Sequence, residues 1–565
     1  MQPRLIENDD VLHEVFRFLD PSATEPTRCI GAQEHENRCR TALARSARAS
    51  KVISEHALNV LWRRSEGLLD IFSILPPFKR GPPSAVEPSD GDDVDVHDGP
   101  PKVKGLWRFT DAIAPADWGR YQTYAQRVRV LSLAWTPGKI DPSVFSEISR
   151  LSDGGPLFPG LTELDIQTYD PFEHIPSCLI SPSLRKLFIT DLGSVLDDDD
   201  DLDFHPPESP LADLVRVAFV KARLLEEVTL TGSNVGPMEN LLAMADCSRL
   251  RRVSVVDLAP DARLLEGWSR IESLGDLTLE VHPDSPVVTR PLEFARLHCL
   301  TVRGNLKHLS NFLAQVFAPC LSYLRMEVQQ LPSHGSEELP GCLATVSAQY
   351  SSTLRHFHLA FSGDGSGGGE QWPEMPLVYL IRPLLDMPLL QTVSITPPRG
   401  WSITLSDEGI HDIAVAWPSL VSLRIYLLNA NSTATWESLG ELARGCTRLR
   451  TLALPHLDLR TFVPPMVDKQ LTPPHPLEVL TLDYSFGHNQ VDDSHKFAQF
   501  LDRTFPNLDL GTSVIRRVDI PGGRRHPQGR EVMELLRSFQ QARQRQVSPN
   551  GKLVMVPSPT AQTVQ

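Results

Sequence analysis

Leu449-Arg450-Thr451-Leu452-Ala453-Leu454 spells L-x-x-L-x-L, and the same spelling returns along most of the chain. Close copies begin at Leu161, Leu184, Leu225, Leu250, Leu274, Leu297, Leu321, Leu354, Leu390, Leu420 and Leu477, with weaker ones at Val128 and Ile515. Successive starts lie 23 to 41 residues apart. A local pattern that returns every few tens of residues marks a solenoid, in which each unit buries its apolar face against the next. Each copy reads as a short strand, with its leucines pointing into the core and the residues between them facing out.

The segments between copies often carry helical periodicity, as in 238–245, 306–317, 377–386, 409–416, 439–443 and 496–504. Strand and helix in alternation predict an α/β fold, with parallel strands on the concave side and helices on the convex side. The longest gaps hold insertions at 197–201, 363–369 and 464–476. From Gly522 the chain turns basic, with an amphipathic helix expected over 531–545 and no order expected in the last twenty residues.

At 565 residues the chain is too long for one compact core unless that core is built by repetition. A net charge of −15 argues against nucleic-acid binding, which rests on clustered Lys and Arg. No apolar run approaches the roughly 18 residues that span a bilayer. Glu7, Asp9 and Asp10 give the N-terminus the wrong charge for a secretory signal. Eight cysteines without a C-x-x-C pair read as reduced thiols, which predicts an intracellular protein, cytoplasmic or nuclear. Cys247, Cys320 and Cys446 precede strands, where a small, easily buried residue packs well.

No motif carries chemistry in its required context. Gly363-Asp364-Gly365-Ser366-Gly367-Gly368 matches a dinucleotide fingerprint formally, but Pro373 and Pro376 delay the helix that the fingerprint needs. The aspartates at 197–201 lack the spacing of a calcium loop, and Cys29, His35 and Cys39 lack a fourth zinc ligand. His356 and His358 face the same way on one strand without further ligands. Asn431-Ser432-Thr433 is a glycosylation sequon that, without a signal, reads as polar loop. The expectation is a non-enzyme with no cofactor and no metal.

What remains is the row of outward strand positions. Its middle holds the aromatic and Arg content typical of binding hot spots. Arg252, Tyr323, Arg325, His356, His358, Arg424 and Tyr426 are the candidate substrate-binding residues, alongside outward positions such as Glu163, Lys186, Glu227, Asp276 and Glu280.

The N-terminal segment is different. Asn8-Asp9-Asp10 favours a helix start, Val11, Leu12, Val15, Phe16 and Leu19 share a face, and Pro21 ends the helix. Two more helical runs follow, near 41–49 and 54–62. The run from Val11 to Pro21 resembles the first helix of an F-box, with Glu7-Asn8 where the family usually has Leu-Pro. Ala42-Leu43-Ala44, the run from Ser46 to Val52 and the run from Ala57 to Trp62 resemble its second half, and residues 124–131 resemble the start of the repeats in many fungal F-box proteins.

The joint resemblance is to an F-box protein with leucine-rich repeats. It implies a substrate-recognition subunit of a cullin-type ubiquitin ligase, monomeric within a hetero-complex and without a membrane or nucleic-acid partner. A Skp-type adaptor would dock on Val11, Leu12, Val15, Phe16, Leu19, Pro21, Leu43, Leu58, Leu61 and Trp62, and a protein substrate on the repeats. The alternative is a repeat scaffold or inhibitor without a ligase role. The expected domains are an F-box-like helical domain (1–75), an acidic Pro-rich linker (76–105), a helical cap (106–127), the repeats (128–525) and a basic tail (526–565).

Overall fold

The computed structural model describes residues 9–20, 32–82, 105–135, 140–168, 175–192, 210–232, 238–258, 260–282, 290–329, 338–362, 375–397, 403–426, 433–459, 474–485, 491–517 and 531–546. Pro21, Cys29, Asn431, Ser432, the acidic run 87–98, the aspartates at 197–201 and the glycine-rich run 363–369 lie outside them. The chain divides into two compact units, residues 1–298 with 316–318, and residues 299–315 with 319–565.

The first unit opens with three helices, α1 (Asp9–Arg17), α2 (Ala32–Ala47) and α3 (Lys51–Leu61). At nine residues α1 is too short to hold its shape alone, so tertiary packing sets it. Leu12 and Phe16, one turn apart, point inward at 8% and 6% exposure and meet Leu43, Ala57 and Val60. Leu19, Ala47, Ile53 and Leu61 close round this cluster.

The sheet begins earlier than the expected boundary at residue 128. Arg64–Ser65 is a strand, β1, whose Cα partners are Val130 and Leu131 in parallel register. The physical reason is a carbonyl left over at the end of the α3 turn: Arg63 O accepts from the Arg129 and Val130 amides at 2.8 and 2.9 Å. The expected linker is bracketed by a clip. After the one-turn α4 (Leu69–Phe72), β2 (Phe78–Arg80) pairs antiparallel with β3 (Trp107–Phe109), and Phe78 stacks on Trp107 at 5.3 Å.

Then come α5 (Pro115–Ala125), β4 (Val130–Trp135), α6 (Pro142–Leu151), β5 (Glu163–Thr168), β6 (Lys186–Asp191), α7 (Pro210–Lys221), β7 (Glu227–Thr231), α8 (Met238–Leu242), β8 (Arg252–Val256), α9 (Ala262–Ser269), β9 (Asp276–Val281) and β10 (Leu292–Glu293). In this unit the sheet runs β1-β4-β5-β6-β7-β8-β9, every pairing parallel.

The second unit contributes β11 (Cys299–Gly304) and α10 (Leu306–Gln315); β12 (Val316–Phe317) belongs with the first unit, where it pairs with β10. It continues with β13 (Tyr323–Val328), α11 (Glu338–Tyr350), β14 (His356–Phe361), β15 (Met375–Pro376), α12 (Leu377–Leu385), β16 (Thr392–Thr396), β17 (Ile403–Thr404), α13 (Asp407–Ala416), β18 (Ser422–Ile425), α14 (Trp436–Gly445), β19 (Thr451–Asp458), β20 (Val479–Ser485), α15 (Val491–Thr504), β21 (Val514–Arg517) and α16 (Glu531–Gln546). Its parallel order is β11-β13-β14-β16-β18-β19-β20-β21.

The repeat leucines make the core in both units. Leu187 and Ile189 of β6, and Leu452 and Leu454 of β19, are buried, as are the leading Leu184 and Leu449. Helices close the other side with an apolar stripe, such as Leu439 and Leu442 on α14 and Ile410 and Ile413 on α13. Neighbouring helices are tied at their starts: Asp407 of α13 accepts from the Thr435 amide and hydroxyl, both at 2.8 Å. At the far end Gly445 must be glycine-sized, because a Cβ there would lie 2.6 Å from the Ala414 carbonyl oxygen. The Trp417 indole N–H donates to Leu384 O at 2.9 Å, so a large buried ring keeps its polar atom bonded. Of the cysteines placed before strands, Cys247 and Cys446 are buried as expected; Cys320 is exposed.

Candidate protein-binding face

Strand geometry puts every second residue on the open face, and the parallel register aligns those residues into rows that cross the sheet. The first row of the first unit is an ion-pair ladder. Arg64 of β1 faces Glu163 at 3.9 Å, and Lys186 lies 3.5 Å from Glu163 and 3.8 Å from Glu227. Arg252 then bridges Glu227 at 2.9 Å and Asp276 at 3.0 Å. The two acidic partners raise the affinity of the Arg252 guanidinium for its proton, the Glu227 hydrogen bond most. In the next row the Ser132 hydroxyl donates to Asp165 at 2.9 Å. From Glu163 to Asp276 each charge of the first row has its opposite on an adjacent strand, a cross-strand arrangement that favours the observed register.

The outward strand positions of the second unit are filled differently. Tyr323 lies beside His356 and His358, with ring centroids 6.4 and 5.1 Å apart. Arg303 and Arg325 both close on Glu327, at 2.5 and 2.6 Å. Further along, His358, Ser394, Arg424 and Ala453 sit in register on successive strands. Arg424 is exposed, has small residues on both flanks, and among the described residues has no carboxylate partner. Tyr426 is 43% exposed, and the Ser422 hydroxyl has no hydrogen-bond partner among the described residues.

Burial lowers the proton affinity of both imidazoles. Arg355 adds to this at His356, and Arg325, His356 and Arg424 add to it at His358. The two rings are therefore neutral at pH 7 and behave as polar aromatics. Among the described residues no group of three or more His, Cys, Asp or Glu is placed to hold a metal ion. Burial pushes the thiols of Cys342 and Cys446 up to about 12 and that of Cys178 up to about 11, so all three stay protonated.

All seven candidate residues of this face lie on outward strand positions or immediately after a strand, but the structure separates them. Tyr323, Arg325, His356, His358, Arg424 and Tyr426 belong to the second unit, whereas Arg252 belongs to the first and is held in the ladder. Glu280, also expected outside, is turned in at 5% exposure and accepts from the Asp257 amide at 3.1 Å. The strand pattern of β9 becomes continuous burial at its end, so alternation fails there.

The candidate adaptor residues also divide. Leu12, Phe16 and Leu43 are buried in the three-helix core; Val11, Leu19, Leu58, Leu61 and Trp62 are half-buried; Val15 is 52% exposed; and Pro21 is not among the described residues. Trp62 packs on Tyr124 at 5.1 Å, which joins the helical domain to α5. Arg127 completes the joint, bonding the side chains of Glu55 and Asn59 on α3. Phe18, 85% exposed at the end of α1, was not singled out by the helical stripe, although its sequence position next to the stripe was the signal available.

Neither a family model nor a curated protein matches this chain. Similar solved structures include an internalin (inlF) from Listeria monocytogenes, with 11% identity over 60% of this chain and 82% of that one, at a TM-score of 0.28. The plant peptide hormone receptor RGFR1 in complex with RGF2 is 10% identical over 70% of this chain and 56% of that one, at 0.30. The TLR13 chain of a TLR13–ssRNA13 complex is 14% identical over 69% of this chain and 53% of that one, at 0.29. The chain thus spans a little over half the length of the last two. The repeat architecture stands on the strand register and buried leucines of this chain itself. No helix among the described residues is long and apolar enough to cross a membrane.

Proposed function

We propose that this chain is the substrate-recruiting subunit of a Skp-adaptor and cullin ubiquitin ligase and does no chemistry of its own. The adaptor would dock on the N-terminal helices and a protein substrate on the open sheet face of the second unit. The supporting observation is a three-helix domain that closes its own core and still leaves Val15 of its first helix and Phe18, the residue after that helix, in solvent. An exposed apolar pair at the end of a helix suits helix-in-groove recognition. Holding adaptor and substrate on one chain raises the local concentration of substrate near the transferring enzyme.

A second reading is a repeat scaffold without a ligase role, and the burial of Leu12 and Phe16 favours it. Three of the residues expected to dock the adaptor, Leu12, Phe16 and Leu43, are occupied in the core.

Co-purification of a Skp-type adaptor with the full chain separates the readings. Val15→Asp and Phe18→Asp change exposed positions and should leave the fold intact while abolishing adaptor capture. Adaptor capture by the double variant, or none by the wild-type chain, would leave the scaffold reading standing. Leu12→Asp and Phe16→Asp are unsuitable, because a charge in the core destabilises the domain itself.

A further inference from the structure

Arg424 stands apart from the other cations on the open face of the second unit. The carboxylate of Glu327 is already shared by Arg303 and Arg325. Arg325 and Arg424 occupy one row, but His358 and Ser394 lie between them on β14 and β16, so they are about 14 Å apart at a strand spacing of about 4.8 Å. On either side of Arg424 the row offers only the Ser394 hydroxymethyl and the Ala453 methyl. The exposed guanidinium is therefore flanked in its row by two small side chains, with Tyr426 exposed two residues beyond it.

We propose that Arg424 is the anchor for a carboxylate side chain, Asp or Glu, of the protein that binds this face. This rests on the reading of the sheet face as the substrate-binding surface and names the chemistry it selects. A partner that covers Arg424 without supplying an acceptor would bury an unpaired charge, which is strongly unfavourable. A single guanidinium matches a single carboxylate, through two parallel N–H···O bonds. A phosphate is ordinarily received by a cluster of arginines, and here Arg303 and Arg325 are already held by Glu327. Tyr323, His356 and His358 add aromatic contact area on the same face and no positive charge at neutral pH, since burial and the neighbouring Arg355, Arg325 and Arg424 keep both imidazoles neutral.

The test uses the full chain and immobilised peptide pools with random flanks and a central Glu, Gln or phosphoserine. The wild-type chain should retain the central-Glu pool about tenfold better than the central-Gln pool. Arg424→Ala should remove that preference, Arg424→Lys should reduce it, and Arg252→Ala should preserve it. Equal retention of Glu and Gln pools, a preference that survives Arg424→Ala, stronger retention of the phosphoserine pool, or retention of no pool would each overturn the proposal. Circular dichroism of each variant confirms that the fold is kept. Adaptor capture is measured separately with Val15→Asp and Phe18→Asp, so loss of the ligase reading leaves the peptide result untouched, and the reverse holds too.

Discussion

The first-row ladder of the first unit and the Tyr–His–Arg cluster of the second are both built on outward strand positions of parallel strands, above buried leucines. In the ladder, Arg64, Lys186 and Arg252 alternate with Glu163, Glu227 and Asp276, so the strands answer each other's charges. In the cluster, Arg303 and Arg325 share one carboxylate, Arg424 has none among the described residues, and the rings of Tyr323, His356 and His358 lie on β13 and β14. One surface is electrostatically closed and the other open. The repeat determines where a side chain stands; what it is free to do depends on which residue the neighbouring strand places opposite.

If the scaffold beneath the two faces is equivalent, Leu187→Ala and Leu452→Ala should each cost about 2–5 kcal/mol of stability, since both empty a fully buried strand position. Urea unfolding of the two variants checks this, and a markedly smaller loss in one would show that its unit is built differently.

Acid should separate the units next. His475 is buried, accepts from the Leu477 amide at 3.3 Å and lies 3.1 Å from the Cys446 carbonyl oxygen. Burial lowers its proton affinity, against a smaller opposing effect of the Cys446 carbonyl. His356 and His358 are lowered too, and all three are in the second unit. For a histidine whose folded pKa is depressed, the unfolded chain takes up the proton first. Stability is therefore full above the ordinary value of 6.5 and falls as pH drops below it toward the folded value. Hydrogen exchange at pH 7.5 and pH 5.5 should show the second unit losing protection sooner, and His475→Gln should lessen the loss.

The ladder predicts a smaller effect. Arg252→Ala should cost about 1 kcal/mol or less, and the loss should shrink as salt is added, because the pairs are partly exposed. Arg424→Ala, with no carboxylate partner among the described residues to lose, should leave the melting temperature unchanged at any salt concentration. A thermal-melt series in salt distinguishes them, and equal behaviour would erase the contrast between the faces.

The strands were legible because a leucine that must be buried at every second position leaves a mark independent of its neighbours. Leu161, Leu354 and Leu477 all introduce strands, and the expected helices at 377–386 and 409–416 nearly coincide with α12 and α13. The ladder was not legible, because it depends on register: Lys186 and Glu227 meet only once their strands are aligned. Helical spacing could group Leu12, Val15 and Phe16 but could not say which way each turned; Leu12 and Phe16 went inward and Val15 outward. β1 carries no leucine spelling, and its place follows from the Arg63 carbonyl at the end of the α3 turn.

Only Trp62 and Arg63 lie between α3 and β1. The three-helix domain consequently has no hinge of its own. To swing against the first strands it would have to separate the Trp62 and Tyr124 rings and break the bonds of Arg127 to α3 in the same motion. A pull on α1 reaches β4 as it would through the handle of a tool, and the orientation of whatever grips the helices is passed to the first repeats without slack.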